Sequence, residues 1–84
     1  MDFPNPSRFF DPTRHAVRFW GHDRTMEWSF FVTEAALKLQ PNARIDETSL
    51  LHAFDANREK IYVAARRAYT RERRSSYELG AGDF

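Results

Sequence analysis

The stretch DETSLLHAFDANREKIYVAARRAYTRERR, residues 46–74, decides how the chain is read. Asp46 has the carboxylate of an N-cap, with Ile45 and Leu50 flanking it at the spacing of a hydrophobic staple. Leu50, Phe54, Ile61, Ala65 and Ala68 then recur every three or four residues, the period of a helix with one buried face. No Pro or Gly interrupts the stretch before Gly80. Arg66, Arg67, Arg71, Arg73 and Arg74 crowd its end, where cations suit the negative pole of the helix dipole. The pattern predicts one long helix from Asp46 to about Arg74.

Working back from this helix, the chain reads as a small sheet built to receive it. Arg8-Phe9-Phe10 is a short strand, and Asp11-Pro12-Thr13-Arg14 has the residue order of a type I turn. Two alternating segments follow, Ala16 to Gly21 and Thr25 to Val32, with Val17 and Phe19, then Met26, Trp28, Phe30 and Val32, each on one face. A hairpin turning at His22-Asp23 sets Phe19 opposite Met26, Val17 opposite Trp28 and Arg18 opposite Glu27. Thr33 caps a short helix from Glu34 to about Gln40, with Val32 and Leu37 as its staple, and Pro41 limits it. Asn42 to Arg44 connect it to the long helix. Tyr77 and Leu79 alternate with polar neighbours as a last strand. The expected fold class is α+β: a small antiparallel sheet, in the order β-β-β-α-α-β, packed on one long C-terminal helix. Residues 1–84 read as a single domain, with 1–7 an extended lead-in because Phe3 and Asn5 each precede a proline.

Composition limits what such a domain can do. Thirteen Lys and Arg against twelve Asp and Glu leave a net charge of +1, which argues against a general polyanion binder. Eight of the residues are Phe, so the core can be aromatic. The absence of cysteine removes disulfides, thiolate metal sites and thiol nucleophiles, and fits a reducing compartment. The opening residues have neither the basic nor the apolar region of a signal peptide, and the longest apolar run, Ile61 to Ala65, is far too short to span a bilayer. The expectation is a cytoplasmic protein.

Phe3-Pro4-Asn5-Pro6-Ser7-Arg8, Val17-Arg18-Phe19-Trp20-Gly21, Ser29-Phe30-Phe31-Val32, Ala53-Phe54-Asp55-Ala56-Asn57-Arg58 and Ala65-Arg66-Arg67-Ala68-Tyr69 occur in this order. As an ordered set the chain resembles the small bacterial family catalogued as domain of unknown function 1488. The resemblance covers nearly the whole chain and implies short bacterial proteins with an α+β fold. It brings no activity, cofactor or catalytic residue with it.

Candidate sites come from departures from the apolar pattern. Asn57 and Arg58 fall within the arc of the long helix that should be buried, and a buried Arg needs a partner. They either tie down a loop carbonyl or carboxylate or hold an anion. His22-Asp23 sits where a turn explains it. His52, Asp55 and Glu59 share a face with Arg66, Thr70 and Arg73, as an ordinary solvated face does. No nucleophile elbow or Gly-rich phosphate loop is present, so no catalytic residue, metal ligand or cofactor site is assigned. Arg66, Arg67, Arg71, Arg73 and Arg74 offer an alternative role in nucleic-acid binding. Trp20 and Phe31 point away from the helix-facing side of the sheet, and of the adjacent Phe9 and Phe10 one must do so too. These rings are either sheltered by the lead-in and the short helix or form, with Arg18, a protein-interface patch that most simply makes a two-fold dimer. The reading favoured by the sequence is a non-enzymatic protein-association module using Trp20, Phe31 and Arg18.

Overall fold

The computed structural model describes residues 1–37 and 46–84. In chain order the elements are β1 (Phe9–Asp11), β2 (Ala16–Asp23), β3 (Met26–Thr33), α1 (Glu34–Leu37), α2 (Glu47–Ala56), α3 (Arg58–Arg71) and β4 (Ser76–Leu79), followed by a 3₁₀ turn at Ala81–Asp83. The class is α+β. The expected end of the short helix near Gln40, Pro41, the Asn42–Arg44 connector and the staple residue Ile45 lie outside the described residues.

Local chemistry accounts for most boundaries. Asp11 Oδ1 accepts from the Thr13 and Arg14 amides at 2.9 and 3.2 Å, which holds the β1–β2 turn. Thr33 Oγ1 caps α1 through the Ala36 amide at 3.3 Å, and Asp46 Oδ1 caps α2 through the Ser49 amide at 2.7 Å.

The hairpin departs from the expected register. It turns at Arg24-Thr25, not His22-Asp23, so Phe19 faces Phe30, Val17 faces Val32, and Arg18 faces Phe31. Arg24 takes a left-handed φ of 60°, a conformation that no propensity of Arg announces. The displacement is four residues along β3, an even number, so every side chain keeps its expected face. The gain is a stacked Phe19–Phe30 pair, with ring centroids 5.3 Å apart. An exposed Arg18–Glu27 pair is worth only ~0.2–1 kcal/mol and cannot compete with it. Glu27 instead faces His22, whose Nε2 lies 3.0 Å from its carboxylate but out of line for a hydrogen bond.

The long helix is two helices. Asn57, at φ −122° and ψ 19°, leaves the helical region, and its side-chain Nδ2 donates to the Ala53 carbonyl at 2.8 Å. This local competition for backbone groups ends α2 where neither Gly nor Pro is available to do so. The break divides the labour: α2 packs mainly on β1 and β2, whereas α3 packs mainly on β4. Helix α3 stops at Arg71, so Arg73 and Arg74 lie beyond it. Tyr77 fixes this exit, its hydroxyl donating to the Glu72 carbonyl at 2.8 Å and accepting from the Arg74 amide at 3.0 Å.

The four strands lie in the order β1-β2-β3-β4. The first three form an antiparallel meander, but β4 pairs parallel to β3, so the sheet is mixed and not antiparallel throughout. A parallel neighbour requires a crossover, which the helical segment supplies. Val17, Phe19, Phe30, Val32, Tyr77 and Leu79 line the inner face and meet Leu50, Phe54, Ile61, Ala64, Ala65, Ala68 and Tyr69 from the helices. The lead-in joins the inner side as well. Asp2 and His22 exchange backbone hydrogen bonds of 2.8 and 2.7 Å, and Phe3 stacks on Tyr62 at 4.1 Å.

Candidate functional site

The outer face of the sheet follows from the register. Residues directly opposed on neighbouring strands share a face, so Phe9, Arg18, Phe31 and Glu78 form one row across all four strands. Trp20 stands two residues along β2 from Arg18. Phe31 is buried and Trp20 half-buried, while Phe9 is 60 % exposed. Ala16 and Phe31 are the buried apolar residues that stand outside the helix-facing core.

What covers these rings is mostly arginine. The Arg14 guanidinium lies 4.3 Å from the Phe31 ring centre, and Arg18 lies 5.6 Å from Phe31 and 5.1 Å from Trp20. Phe9 meets Trp20 edge-on at 5.6 Å. Such cation–π contacts shelter ring faces and leave the charged heads in water. Of the two alternatives, shelter by the lead-in and the short helix is not seen among the described residues. Lead-in residue Phe3 packs against inner-face rings, and α1 contacts β3, α2 and the 3₁₀ turn. Sequence alternation placed Trp20, Phe31 and Arg18 on the outer side correctly. It missed Arg14, which reaches Phe31 from a turn, and Glu78, whose place beside Phe31 depends on the β3–β4 register.

Asn57 and Arg58 sit at the helix break. Arg58 donates to Tyr62 Oη at 2.8 Å, to the Pro6 carbonyl at 2.9 Å and to Asp55 Oδ1 at 2.9 Å, and lies 4.9 Å from the Phe54 ring centre. Arg8 grips the same Asp55 with two bonds of 3.0 and 2.8 Å. A groove of about 470 Å³ beside Pro6, Ser7, Arg8, Phe9, Asp55 and Arg58 borders this cluster. The cluster ties the lead-in and β1 to the joint between α2 and α3, so it has structural work irrespective of any ligand. The Arg8 bonds, followed by those of Arg58, hold the Asp55 carboxyl below the ordinary carboxylate value of 3.8. Asp23 is lowered likewise, chiefly by the hydroxyl of Tyr69 at 2.5 Å.

The sign of the linkage is fixed by this direction. A carboxyl depressed by folding stabilises the fold above its unfolded pKa and loses that contribution as pH falls through the lowered folded value. Stability should therefore fall below about pH 4. Asp55→Asn should be less stable than wild type at pH 7 and should flatten this acid limb. Urea midpoints measured from pH 7 to pH 2 check it, and parallel curves for the two proteins would discard the Asp55 explanation.

The C-terminal arginines are mostly engaged within the chain. Arg66 Nε donates to the Met1 carbonyl at 3.2 Å, and Arg73 lies 3.8 Å from the Tyr69 ring centre. Arg71 reaches Asp83 at 3.3 Å, and Arg74 reaches Glu72 at 2.7 Å. Arg67 is exposed and lines a groove of about 310 Å³ with Val63, Ala64 and Phe84. Among the described residues, no three His, Asp or Glu side chains gather as metal ligands, and no helix is long and apolar enough to cross a membrane.

A four-stranded mixed sheet, covered on one side by a broken helix and on the other by arginine-capped aromatics, defines a small α+β protein. The chain belongs to the family described as "Protein of unknown function (DUF1488)", which it matches over residues 1–79. Comparison with curated proteins and with solved structures gives no match.

Proposed function

We propose that this protein is a non-enzymatic, cytoplasmic association module whose outer sheet face pairs with another copy of itself. The observation that carries the reading is the open outer face. Phe9, Trp20 and Arg18 lie there together, and no helix or lead-in ring is stacked on them among the described residues. Trp and Arg are the residues most enriched where binding energy concentrates, because they combine a large contact area with a directed polar group. The face also carries both charge signs, so reciprocal contacts about a two-fold axis can pair them. The basic helix supports a nucleic-acid role less well, since Arg66, Arg71, Arg73 and Arg74 already have partners in their own chain.

Native mass by light scattering over a dilution series tests the reading. The expected result is a dimer that dissociates on dilution, with Trp20 fluorescence changing in step. Trp20→Arg should be monomeric at every concentration with an unchanged far-ultraviolet circular dichroism spectrum. A wild-type chain that is strictly monomeric throughout would overturn the proposal.

A further inference from the structure

We infer that the two copies meet face to face about a two-fold axis running along β3 over Phe31, with Arg18 of each copy set against Glu78 of the other. The inference rests on the self-association reading and goes further by fixing the orientation and the recognition pair. In the row Phe9, Arg18, Phe31, Glu78, the cation and the anion stand on either side of Phe31. Each is one strand away, ~4.8 Å from it. A two-fold axis along β3 exchanges those two positions, so each Arg18 comes to lie over a Glu78, and the contact occurs twice.

The charge inventory of the face singles out this pair. Arg14 is matched by Asp11 at 3.2 Å, and His22 stands against Glu27. Arg18 has no carboxylate partner among the described residues: it donates to Ser29 Oγ at 2.9 Å and rests on the Trp20 and Phe31 rings, sharing the latter with Arg14. Glu78 is exposed and has no ion-pair partner among the described residues. A purely acidic partner would satisfy Arg18 and repel Glu78, and a purely basic one would do the reverse. A surface bearing both charges in mirrored order satisfies both, and a second copy is such a surface. Sheets packed face to face lie ~10 Å apart, a gap that Arg and Glu side chains reaching from both sides can bridge. The same arrangement lays Phe31, buried under the Arg14 and Arg18 guanidinium groups, at the centre.

Charge reversal tests the pairing. Sedimentation equilibrium or light scattering would give the dimer dissociation constant for wild type, Arg18→Glu, Glu78→Arg and the double variant. Each single reversal turns two attractions into two repulsions and should weaken the dimer by about tenfold or more. The double variant should return to within about threefold of wild type, because the pair is restored with its order inverted. Circular dichroism confirms folding, and Glu78→Arg keeps the test valid should Arg18→Glu disturb the stacked rings. If wild type dimerises but neither single reversal shifts its constant, or the double variant fails to recover, the orientation is wrong while self-association stands. If wild type is strictly monomeric, the association reading itself falls, and this inference with it.

Discussion

Phe19→Ala is expected to remove a large part of the folding stability. Phe19 is 1 % exposed and is the ring on which three structural layers converge. It stacks across the sheet on Phe30 at 5.3 Å, meets Phe54 of α2 at 5.2 Å, and meets Tyr62 of α3 and Phe3 of the lead-in at 5.8 and 6.1 Å. Removing a buried Phe ring costs ~3–5 kcal/mol, the transfer loss plus the cavity that neighbours fail to close. Here those neighbours belong to separate elements whose backbones cannot all move inward. Small domains have ~5–15 kcal/mol in total, so the variant should be partly unfolded at 37 °C. Phe9→Ala, on the outer face, is the matched control and should cost ~1 kcal/mol or less. Urea unfolding of the two variants separates these cases. A loss below ~1 kcal/mol for Phe19→Ala would mean that the register placing it opposite Phe30 is wrong.

Gly21→Val is expected to be the most damaging substitution among the chain's three glycines. The reason is space rather than backbone conformation, because Gly21 does not have a positive φ. A Cβ at this position would stand 2.5 Å from Met1 Sδ, 2.9 Å from Cε1 of Phe3 and 3.0 Å from Cε1 of Phe30. The methionine thioether can swing away. Phe30 cannot, since it is held between Phe19 and Tyr77. Phe3 must therefore leave its stack on Tyr62, and Arg66, whose guanidinium lies 5.0 Å from the Phe3 ring centre, loses its platform. Forcing methyl groups into a filled site costs ~1–3 kcal/mol. Thermal unfolding and the near-ultraviolet signal of the stacked aromatics measure the effect, with Gly21→Ala falling between the variant and wild type. An unchanged melting temperature for Gly21→Val would show that the lead-in does not seat against this glycine in solution.

Much of the architecture was readable from periodicity. Alternation identified three strands and the side each ring faces, because burial on one face imposes a period of two whatever the turn does. Alternation says nothing of sliding by an even number of residues, and the hairpin slid by just such a step. Surface charge matching pointed to one register, and the stronger aromatic stacking selected another. The helix presented a similar ambiguity. Asn57 and Arg58 looked misplaced within a buried arc because that arc was drawn for an unbroken helix. Once α2 ends at Asn57, both residues stand at a joint, where an amide can cap a helix and a guanidinium can reach Pro6 and Asp55. Tyr77 and Leu79 disclosed which side β4 presents but not its direction, since an alternating strand reads the same either way. The surface residues follow the same division. Trp20 and Phe31 were legible from alternation, whereas Arg14 and Glu78 depend on a turn and on a distant pairing.

The parallel seating of β4 also imposes a sequence of events on a chain emerging from the ribosome. Strands β1 to β3 are joined by tight turns and can pair as soon as Thr33 is free. The flank of β3 that carries Ser29 to Val32 is completed by residues Ser76 to Leu79, which arrive only after both long helices have been made. Closing so large a loop carries an entropic penalty that grows with the logarithm of its length, and contacts distant in sequence form late. Until then a growing chain displays a bare strand margin beside Phe30 and Val32, the geometry in which strands of neighbouring chains find one another. The four-residue strand β4 is thus a latch as well as a structural element, and nascent chains are at their most adhesive just before it closes.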